Sequence, residues 1–329
     1  MYQKIYIMCP QKTKTGGTEL LHQLYYQLSQ FRSDVYLVYS GSTEIRANQA
    51  FIQYIVNAPI SVEMIEDKEE NLLIVPEIYY KQLAAFKNMK KAIWWLSVDF
   101  FLQENSFIDR MRIKGIGSAL KNLFLGNLKD KTELIKKADL HYCQSYYAID
   151  FLKKKGIKEE SIIYLSDYVN DLYLESFSNV EFTNRENFVV YNPKKGKKFT
   201  KKLMLKAPQI NWVSIQNMTN EQVHDLLCKS KVYIDFGNHP GKDRIPREAA
   251  LSGCCVITGR RGAANYFQDV CIPDKYKFID SRKSMPKIIE QINDCLNNYN
   301  FLVMDFADYR KSILQEKEKF ESDVKTIFL

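Results

Sequence analysis

Between residues 239 and 253 the chain reads HPGKDRIPREAALSG. The runs on either side, 231–236 and 254–258, have the pattern of buried strands. Pro246 suits the first turn of a helix, and Gly253 suits the residue just past a helix end. The order of strand, glycine-containing loop, short helix and strand predicts one βαβ unit of a parallel sheet.

The loop of this unit has the features of an anion-binding site. Open α/β sheets bind ligands beyond the carboxyl ends of their strands, and the N–H groups of a helix start favour a negative charge. Lys242, Arg244 and Arg247 add positive charge. Glu248 lies one turn into the helix, where its carboxylate can accept hydrogen bonds from sugar or ribose hydroxyls. A well-capped surface helix with salt bridges at its rim would have the same residues, so both interpretations stay open here.

Residues 246–257 read PREAALSGCCVI and resemble the donor-binding element of GT-B glycosyltransferases. In the large retaining group of that fold, a proline, a glutamate, small residues, a glycine and a Val-Ile strand occur in this order. The glutamate there binds the nucleotide ribose, and the resemblance carries this role to Glu248. The longer string 239–250 is also similar to poorly characterised bacterial enzymes of capsule and O-antigen gene clusters.

The sequence departs from the GT-B pattern in two places. A single residue separates Pro246 from Glu248, and the position of the family's first glutamate is occupied by Pro240. Asp243 and His239 are the candidates to replace that glutamate.

The resemblance also implies donor contacts outside this loop. In GT-B enzymes the loop after the first strand contacts donor phosphate or acceptor, which matches Gly16 and Gly17; a Gly pair equally suits a plain tight turn. A lysine early in the second domain binds the donor pyrophosphate. Lys194 or Lys195 matches that lysine, and we choose Lys195. The turn that borders the nucleobase matches Asn217. The predicted donor-binding set is Gly16, Gly17, Lys195, Asn217, His239, Gly241, Asp243, Arg244, Ile245 and Glu248.

Two carboxylates come at the ends of predicted strands in the first half of the chain. Glu77 follows the strand 71–75, and Asp99 ends the strand 93–99. Because the carboxyl ends of parallel strands meet at one sheet edge, both are catalytic candidates, for acid–base work or for holding sugar hydroxyls. Each would also suit a helix cap. Retaining GT-B relatives often carry a histidine near Asp99, so it stays open whether Asp99 is a base, which would suit inversion, or only binds substrate.

Length and composition indicate an ordinary globular protein. At 329 residues the chain is long enough for about two domains. The net charge of +8 suits anionic substrates or an anionic membrane surface, and we expect no nucleic-acid partner. Seven cysteines without a Cys-x-x-Cys pair favour reduced thiols in the cytoplasm. No apolar run has the length of a signal-peptide core or a membrane span.

The segment 107–125 has the composition of a membrane-surface element. Large apolar residues alternate with basic ones, and no acid occurs between Asp109 and Asp130. Such a segment can lie on an anionic bilayer, or it can be a core-facing helix with a solvated basic face. Its basic residues are Arg110, Arg112, Lys114 and Lys121.

Strands and helices alternate in both halves, which predicts an α/β protein with two doubly wound Rossmann-like domains facing a cleft, the GT-B arrangement. We place the acceptor-side domain at 1–174 and the nucleotide-sugar-binding domain at 175–305, opening with a polar linker. A C-terminal helix, 306–329, is expected to cross back to the first domain.

The resemblance implies transfer of a sugar from a nucleotide sugar to a glycan or lipid-linked acceptor of a surface polysaccharide. No Asp-x-Asp motif occurs, so we expect no metal or other cofactor, with Lys195 and Arg244 neutralising the leaving group. A sugar-nucleotide epimerase of the same fold and a non-catalytic GT-B subunit are the alternatives. The donor base and sugar, the acceptor, the stereochemistry and the formation of a homo-oligomer stay open.

Overall fold

The computed structural model describes residues 2–41 and 44–329. The chain divides into two units, each built on its own parallel sheet. Unit 1 comprises Met1–Asp167 with Glu318–Leu329, and unit 2 comprises Tyr168–Lys317. Both sheets alternate with helices, so the predicted α/β class is confirmed.

The elements are as follows in chain order. The strands of unit 1 are β1 (Ile5–Pro10), β2 (Val35–Ser40), β3 (Ile60–Ser61), β4 (Leu72–Pro76), β5 (Lys90–Trp95), β6 (Leu140–Cys143) and β7 (Ile162–Tyr164). The strands of unit 2 are β8 (Glu186–Tyr191), β9 (Asn211–Ser214), β10 (Ser230–Asp235), β11 (Cys255–Gly259) and β12 (Lys277–Phe278). The helices are α1 (Gly16–Ser29), α2 (Val98–Leu102), α3 (Phe107–Lys114), α4 (Ile116–Phe124), α5 (Thr132–Ile135), α6 (Tyr146–Lys154), α7 (Asp171–Ser176), α8 (Lys197–Lys206), α9 (Asn220–Lys229), α10 (Arg244–Leu251), α11 (Met285–Asn297), α12 (Tyr299–Leu302), α13 (Ala307–Leu314) and α14 (Glu316–Phe328).

The sheet of unit 1 has the strand order β3-β2-β1-β4-β5-β6-β7, and neighbouring strands are parallel. The paired strands β1 and β4 are buried along their whole length. Strands covered on both faces carry unbroken apolar runs, which is why IYIMCP and LLIVP are recognisable as strands in the sequence.

The sheet of unit 2 has the strand order β12-β11-β10-β8-β9, and it contains the predicted βαβ unit as β10, α10 and β11. Helix α10 ends at Leu251, and Gly253 has a φ of 87°. The Gly253 N–H donates to the Ala250 carbonyl at 3.1 Å, and the Cys254 N–H donates to the Ala249 carbonyl at 2.8 Å. These are the two hydrogen bonds of a Schellman motif, so the helix stop predicted from Gly253 is confirmed.

The predicted strand 93–99 is too long. Strand β5 ends at Trp95, and the Ser97 hydroxyl accepts the Phe100 N–H at 3.3 Å, which caps α2. A serine that can satisfy a free N–H group favours a helix start over a continued strand. Asp99 therefore lies in the first turn of α2 and not at a strand end.

The other differences concern the tail helix and the boundaries. The predicted tail helix is interrupted at Gln315, between α13 and α14. The chain passes from one unit to the other at 167/168 and at 317/318, and the boundaries predicted from the sequence are 174/175 and 305/306.

Candidate active site

The loop between β10 and α10 and the start of α10 hold most of the predicted donor-binding residues. Asp243 occupies the N-cap position, Arg244 is the first helical residue, and Pro246 is the third. Proline is tolerated there because the first N–H groups of a helix have no partner within it. Arg244, Ile245 and Glu248 are half-buried, which leaves each partly accessible at the helix start.

Lys195 lies beside His239 and Asp243 although it is far from both in the sequence. The Lys195 ammonium donates a hydrogen bond to Asp243 Oδ2 across 48 positions of the chain. The His239 ring is fully buried, with Nδ1 3.0 Å from Asp243 Oδ2 and Nε2 3.6 Å from Asp235 Oδ1. His239 thus faces two carboxylates, and the donor contact expected for it stays a prediction.

Opposite charges decide the protonation of this cluster. Burial raises the pKa of Asp243, but Lys195 and His239 outweigh burial and hold that pKa at about 2. Burial lowers the pKa of His239, but Asp235 and Asp243 outweigh burial and raise it above the usual 6.5. The neighbouring charges therefore favour the ionised form of Asp243 and the protonated form of His239.

Two glycines permit this close arrangement. Gly196 has a φ of 58°, and a Cβ there would lie 2.4 Å from the Phe236 carbonyl oxygen. A Cβ on Gly237 would lie 2.6 Å from the Lys195 Cβ. Any larger residue at either position would force the loop that carries Lys195 away from the end of β10.

Lys242 and Arg247 have a different role from the one that their charge suggests in the sequence. Arg247 is fully buried, and its Nη1 donates to Glu316 Oε2 at 2.6 Å. Lys242 Nζ lies 2.6 Å from Glu316 Oε1. Arg247 also donates to the carbonyl of Lys242 at 3.0 Å. These two cations connect the loop to the start of α14. Of the three basic residues, Lys242 and Arg247 are buried, and Arg244 is half-buried.

The predicted glycine pair forms the first turn of α1. Thr15 is the N-cap and forms a capping box with Thr18. Gly16 is exposed and Gly17 is half-buried, so their N–H groups lie at an accessible helix start. Below them the His22 ring lies between the Thr18 carbonyl, at 2.7 Å, and the Tyr39 hydroxyl, at 2.9 Å.

Glu77 is buried directly after β4. Its Oε2 accepts the Leu96 N–H at 3.0 Å, so it connects the ends of β4 and β5. Burial raises the pKa of Glu77 to about 7, although the backbone N–H groups that it accepts from lower it. At neutral pH this carboxyl group is about half protonated.

Asp99 is also buried, with 7% of its surface exposed. Its Oδ1 accepts a hydrogen bond from the Tyr147 hydroxyl at 3.0 Å. This contact links α2 to α6 and orients the carboxylate. Glu77 directly follows β4, whereas Asp99 lies in α2, which follows the neighbouring strand β5. The catalytic role of both residues stays a prediction.

The sequence analysis missed three residues that shape these sites. Asp235 ends β10, and the rule that singled out Glu77 would also have found it. Glu316 and Tyr147 carry no such signal, because each contacts its site from an element far away in the sequence. Asn217, predicted to border the nucleobase, has a φ of 55° in the exposed turn before α9, and its donor contact stays a prediction.

No protein-family model matches the sequence, and no curated protein is significantly similar to it. Solved structures do match the fold. Anabaena HepE in complex with UDP is 12% identical, with 99% of each chain covered and a TM-score of 0.63. Sucrose-phosphate synthase from Thermosynechococcus elongatus is 11% identical, with 99% of this chain and 98% of that chain covered and a TM-score of 0.68.

The lipopolysaccharide outer core galactosyltransferase WaaB is 11% identical, with 98% of this chain and 100% of that chain covered and a TM-score of 0.60. The matches extend over both units. The chain therefore has the fold of these GT-B glycosyltransferases, which confirms the predicted fold class.

Proposed function

We propose that the protein is a glycosyltransferase that moves a sugar from a nucleotide sugar to an acceptor. The observation that carries this proposal is the Lys195 ammonium held by Asp243 at the start of α10. This places the Lys195 ammonium, a helix start and the half-buried Arg244 at one loop of a parallel sheet, where such folds bind anions. HepE, of the same fold, is known in complexes with UDP and with UDP-glucose.

In this proposal the donor diphosphate lies at the start of α10. Lys195 and Arg244 neutralise the charge that develops on the leaving nucleoside diphosphate, and Glu248 accepts hydrogen bonds from the ribose. A fixed cation stabilises the developing charge without reorganising, which is the main catalytic contribution we assign to unit 2.

We propose that no metal takes part. Among residues 2–41 and 44–329, Asp235, His239 and Asp243 are the grouping whose ligand atoms lie close enough for an ion, within 4.8 Å of one another. Lys195 already contacts Asp243 there, and the two carboxylates raise the pKa of His239, which favours a second positive charge in the cluster. A divalent cation would give this buried cluster an uncompensated charge, which is costly. Transfer activity is expected to be unchanged by a metal chelator.

The donor site is tested by thermal-shift and calorimetric titration with UDP, GDP and ADP. A nucleotide that binds only the folded state raises the melting temperature. Arg244→Ala and Lys195→Ala should each weaken the best nucleotide by about 1–3 kcal/mol, the scale of charged hydrogen bonds. Lys194→Ala is the matched control, because Lys194 is the exposed neighbour of Lys195.

Unchanged affinity in both test variants would remove the donor from this loop. Turnover of a nucleotide sugar in the absence of any acceptor would instead identify a sugar-nucleotide epimerase. Binding of no nucleotide at all would favour a non-catalytic subunit.

For the chemical step we assign the catalytic carboxylates to unit 1. Asp99 is the candidate base or substrate ligand, because the Tyr147 hydroxyl orients it. The pKa of Glu77 is about 7, so near neutral pH only part of the protein has it ionised, as a general base must be. We therefore assign Glu77 to hydrogen bonding with a substrate hydroxyl.

We propose that the acceptor is a lipid-linked precursor of a surface glycan at the inner face of the bacterial cytoplasmic membrane. Helices α3 and α4 support this, because α4 and its end expose large apolar side chains that are 42–87% accessible. Arg112, Lys114 and Lys121 are exposed beside them. Among the described residues every helix is too short or too polar to cross a bilayer. The exposed apolar residues are Ile116, Leu120, Leu123, Phe124 and Leu125.

Arg110 does not belong to this exposed basic face. Its Nε donates to the Ser118 hydroxyl at 3.1 Å, and its Nη1 donates to the Gln103 carbonyl at 2.7 Å. Arg110 thus joins α3 to α4, and changing it would disturb the pair of helices. A membrane test should leave it in place.

Membrane docking is tested by cosedimentation with phosphatidylglycerol vesicles, against phosphatidylcholine vesicles. The protein should bind the anionic vesicles at low salt and be released by salt, since each basic residue adds roughly 1 kcal/mol. Changing Arg112, Lys114 and Lys121 to Glu should abolish binding. The control is the same change to Glu at three exposed lysines of α8, Lys197, Lys198 and Lys201. Equal loss in both variants would mean attraction by net charge alone and would contradict docking through α4.

A further inference from the structure

The buried side chains behind Lys195 form a connected chain from the sheet to the helix start. Asp235 is held at both oxygens: Oδ1 accepts the Gly237 N–H at 2.8 Å, and Oδ2 accepts the Tyr233 hydroxyl at 3.2 Å. His239 follows, 3.6 Å from Asp235 and 3.0 Å from Asp243. Asp243 in turn accepts the hydrogen bond of the Lys195 ammonium.

Three charged side chains of the described residues act on His239. The elements packed around it contribute Asp235 from β10, Asp243 from the N-cap of α10, and Lys195 from the loop after β8. The loop after β11 meets it through the backbone, because the Ala263 N–H donates to the His239 carbonyl at 2.9 Å. The arginines of that loop, Arg260 and Arg261, are paired with Asp274 and Asp280.

We infer that His239 is a proton-linked positioning residue: its charge, held between Asp235 and Asp243, sets how firmly Asp243 retains Lys195 and how strongly the helix start attracts a diphosphate. This inference rests on the proposed donor site. With His239 protonated, two carboxylates face two cations and the cluster is neutral. When His239 loses its proton, the cluster gains one negative charge beside the proposed diphosphate position, and Asp243 binds Lys195 more tightly. Both effects oppose the donor.

The consequence is a donor affinity that falls as the pH rises through the pKa of His239. Nearby charges raise that pKa above the usual 6.5, so the fall in affinity is centred above the pH at which an ordinary histidine loses its proton. One added charge near a diphosphate at a partly solvated site changes affinity by roughly tenfold. His239 is fully buried, so in this inference it acts through Asp243 and Lys195.

The experiment measures the affinity of UDP-glucose from pH 6 to pH 9 by calorimetry. The phosphates of this diester keep a constant charge in that range. The unmodified protein should bind about tenfold more tightly at pH 6 than at pH 9. His239→Gln, which cannot carry the charge, should bind with the weak affinity at every pH. His224→Gln, at a histidine on α9 that contacts Ser176, should leave the profile unchanged.

Asp235→Asn distinguishes a proton-linked role from a purely structural one. Removing the Asp235 charge should move the midpoint of the affinity profile to lower pH while the profile keeps its shape, because His239 then holds its proton less firmly. Nitrogen NMR of His239 should show the same shift in the protein without ligand. The inference is overturned if His239→Gln retains the pH dependence of the unmodified protein, or if NMR shows a neutral His239 at pH 6. If UDP-glucose and the other nucleotide sugars bind at no pH, the proposed donor site itself is wrong.

Discussion

Glu77 in unit 1 and Asp243 in unit 2 are both largely buried carboxyl groups, yet their pKa values are shifted in opposite directions. Burial raises the pKa of Glu77 to about 7, and only backbone N–H groups oppose it. Burial also raises the pKa of Asp243, but Lys195 and His239 hold it at about 2. Desolvation penalises a carboxylate in both places, so the cation buried beside it decides which form persists.

The two carboxyl groups therefore differ in their protonation near neutral pH. Asp243 keeps its charge across the physiological range and serves to hold a cation at the helix start. Glu77 exchanges its proton near neutrality and connects the ends of β4 and β5. Unit 2 therefore holds a cation beside a permanently ionised carboxylate, and unit 1 holds a carboxyl group whose pKa is near 7.

The largest expected effect concerns the chemistry assigned to unit 1. If Asp99 is a general base, Asp99→Asn should lower turnover by about 100-fold or more while donor affinity is kept. Tyr147→Phe should lower it less, because it removes only the hydrogen bond that orients Asp99. Steady-state kinetics at saturating donor measures both, and near-normal turnover in Asp99→Asn would reduce Asp99 to a structural residue of α2.

The next effect is a pH dependence of stability that Glu77 confers on unit 1. Because its folded pKa of about 7 lies above the usual 4.5, its contribution is complete below pH 4.5 and is lost as the pH rises through 7. The unfolding free energy of the unmodified protein should fall by about 3 kcal/mol relative to Glu77→Gln between pH 4.5 and pH 8.5. Urea unfolding at several pH values measures this. Glu69→Gln, at an exposed glutamate of the same unit, serves as the control.

The smallest of the three effects has the opposite sign in pH and belongs to unit 2. The folded pKa of Asp243, about 2, lies below the usual 3.8, so its contribution is present above pH 3.8 and is lost as the pH falls through 2. Lys195→Met should remove part of this contribution, about 1–2 kcal/mol, and raise the pKa of Asp243. Acid unfolding followed by circular dichroism measures it, with Lys194→Met as the control. An identical acid midpoint in Lys195→Met would show that Lys195 does not hold Asp243 in its ionised form.

Much of the fold can be predicted from neighbouring residues. The βαβ unit of β10, α10 and β11 and its stop at Gly253 are confirmed, because a helix end depends on a few adjacent residues and a buried strand on its own apolar run. The same local reasoning fails at Asp99, where the capping hydrogen bond of Ser97 outweighs the apolar run 93–99 and starts a helix. Competing local signals of similar strength cannot be ranked without the contacts around them.

Only the tertiary structure shows which charged side chains of the candidate site pair with each other. Lys242, Arg244 and Arg247 look alike in the sequence. In the structure Glu316, at the start of α14, forms ion pairs with Lys242 and Arg247. Lys195 and Asp243, 48 positions apart, meet because Gly196 and Gly237 let two loops approach closely. Which charges form an ion pair depends on all the charged groups that the fold brings together, and the strength of the pair depends on how much water the fold excludes. Residue type specifies which charges exist; the long-range packing of the loops decides which of them meet.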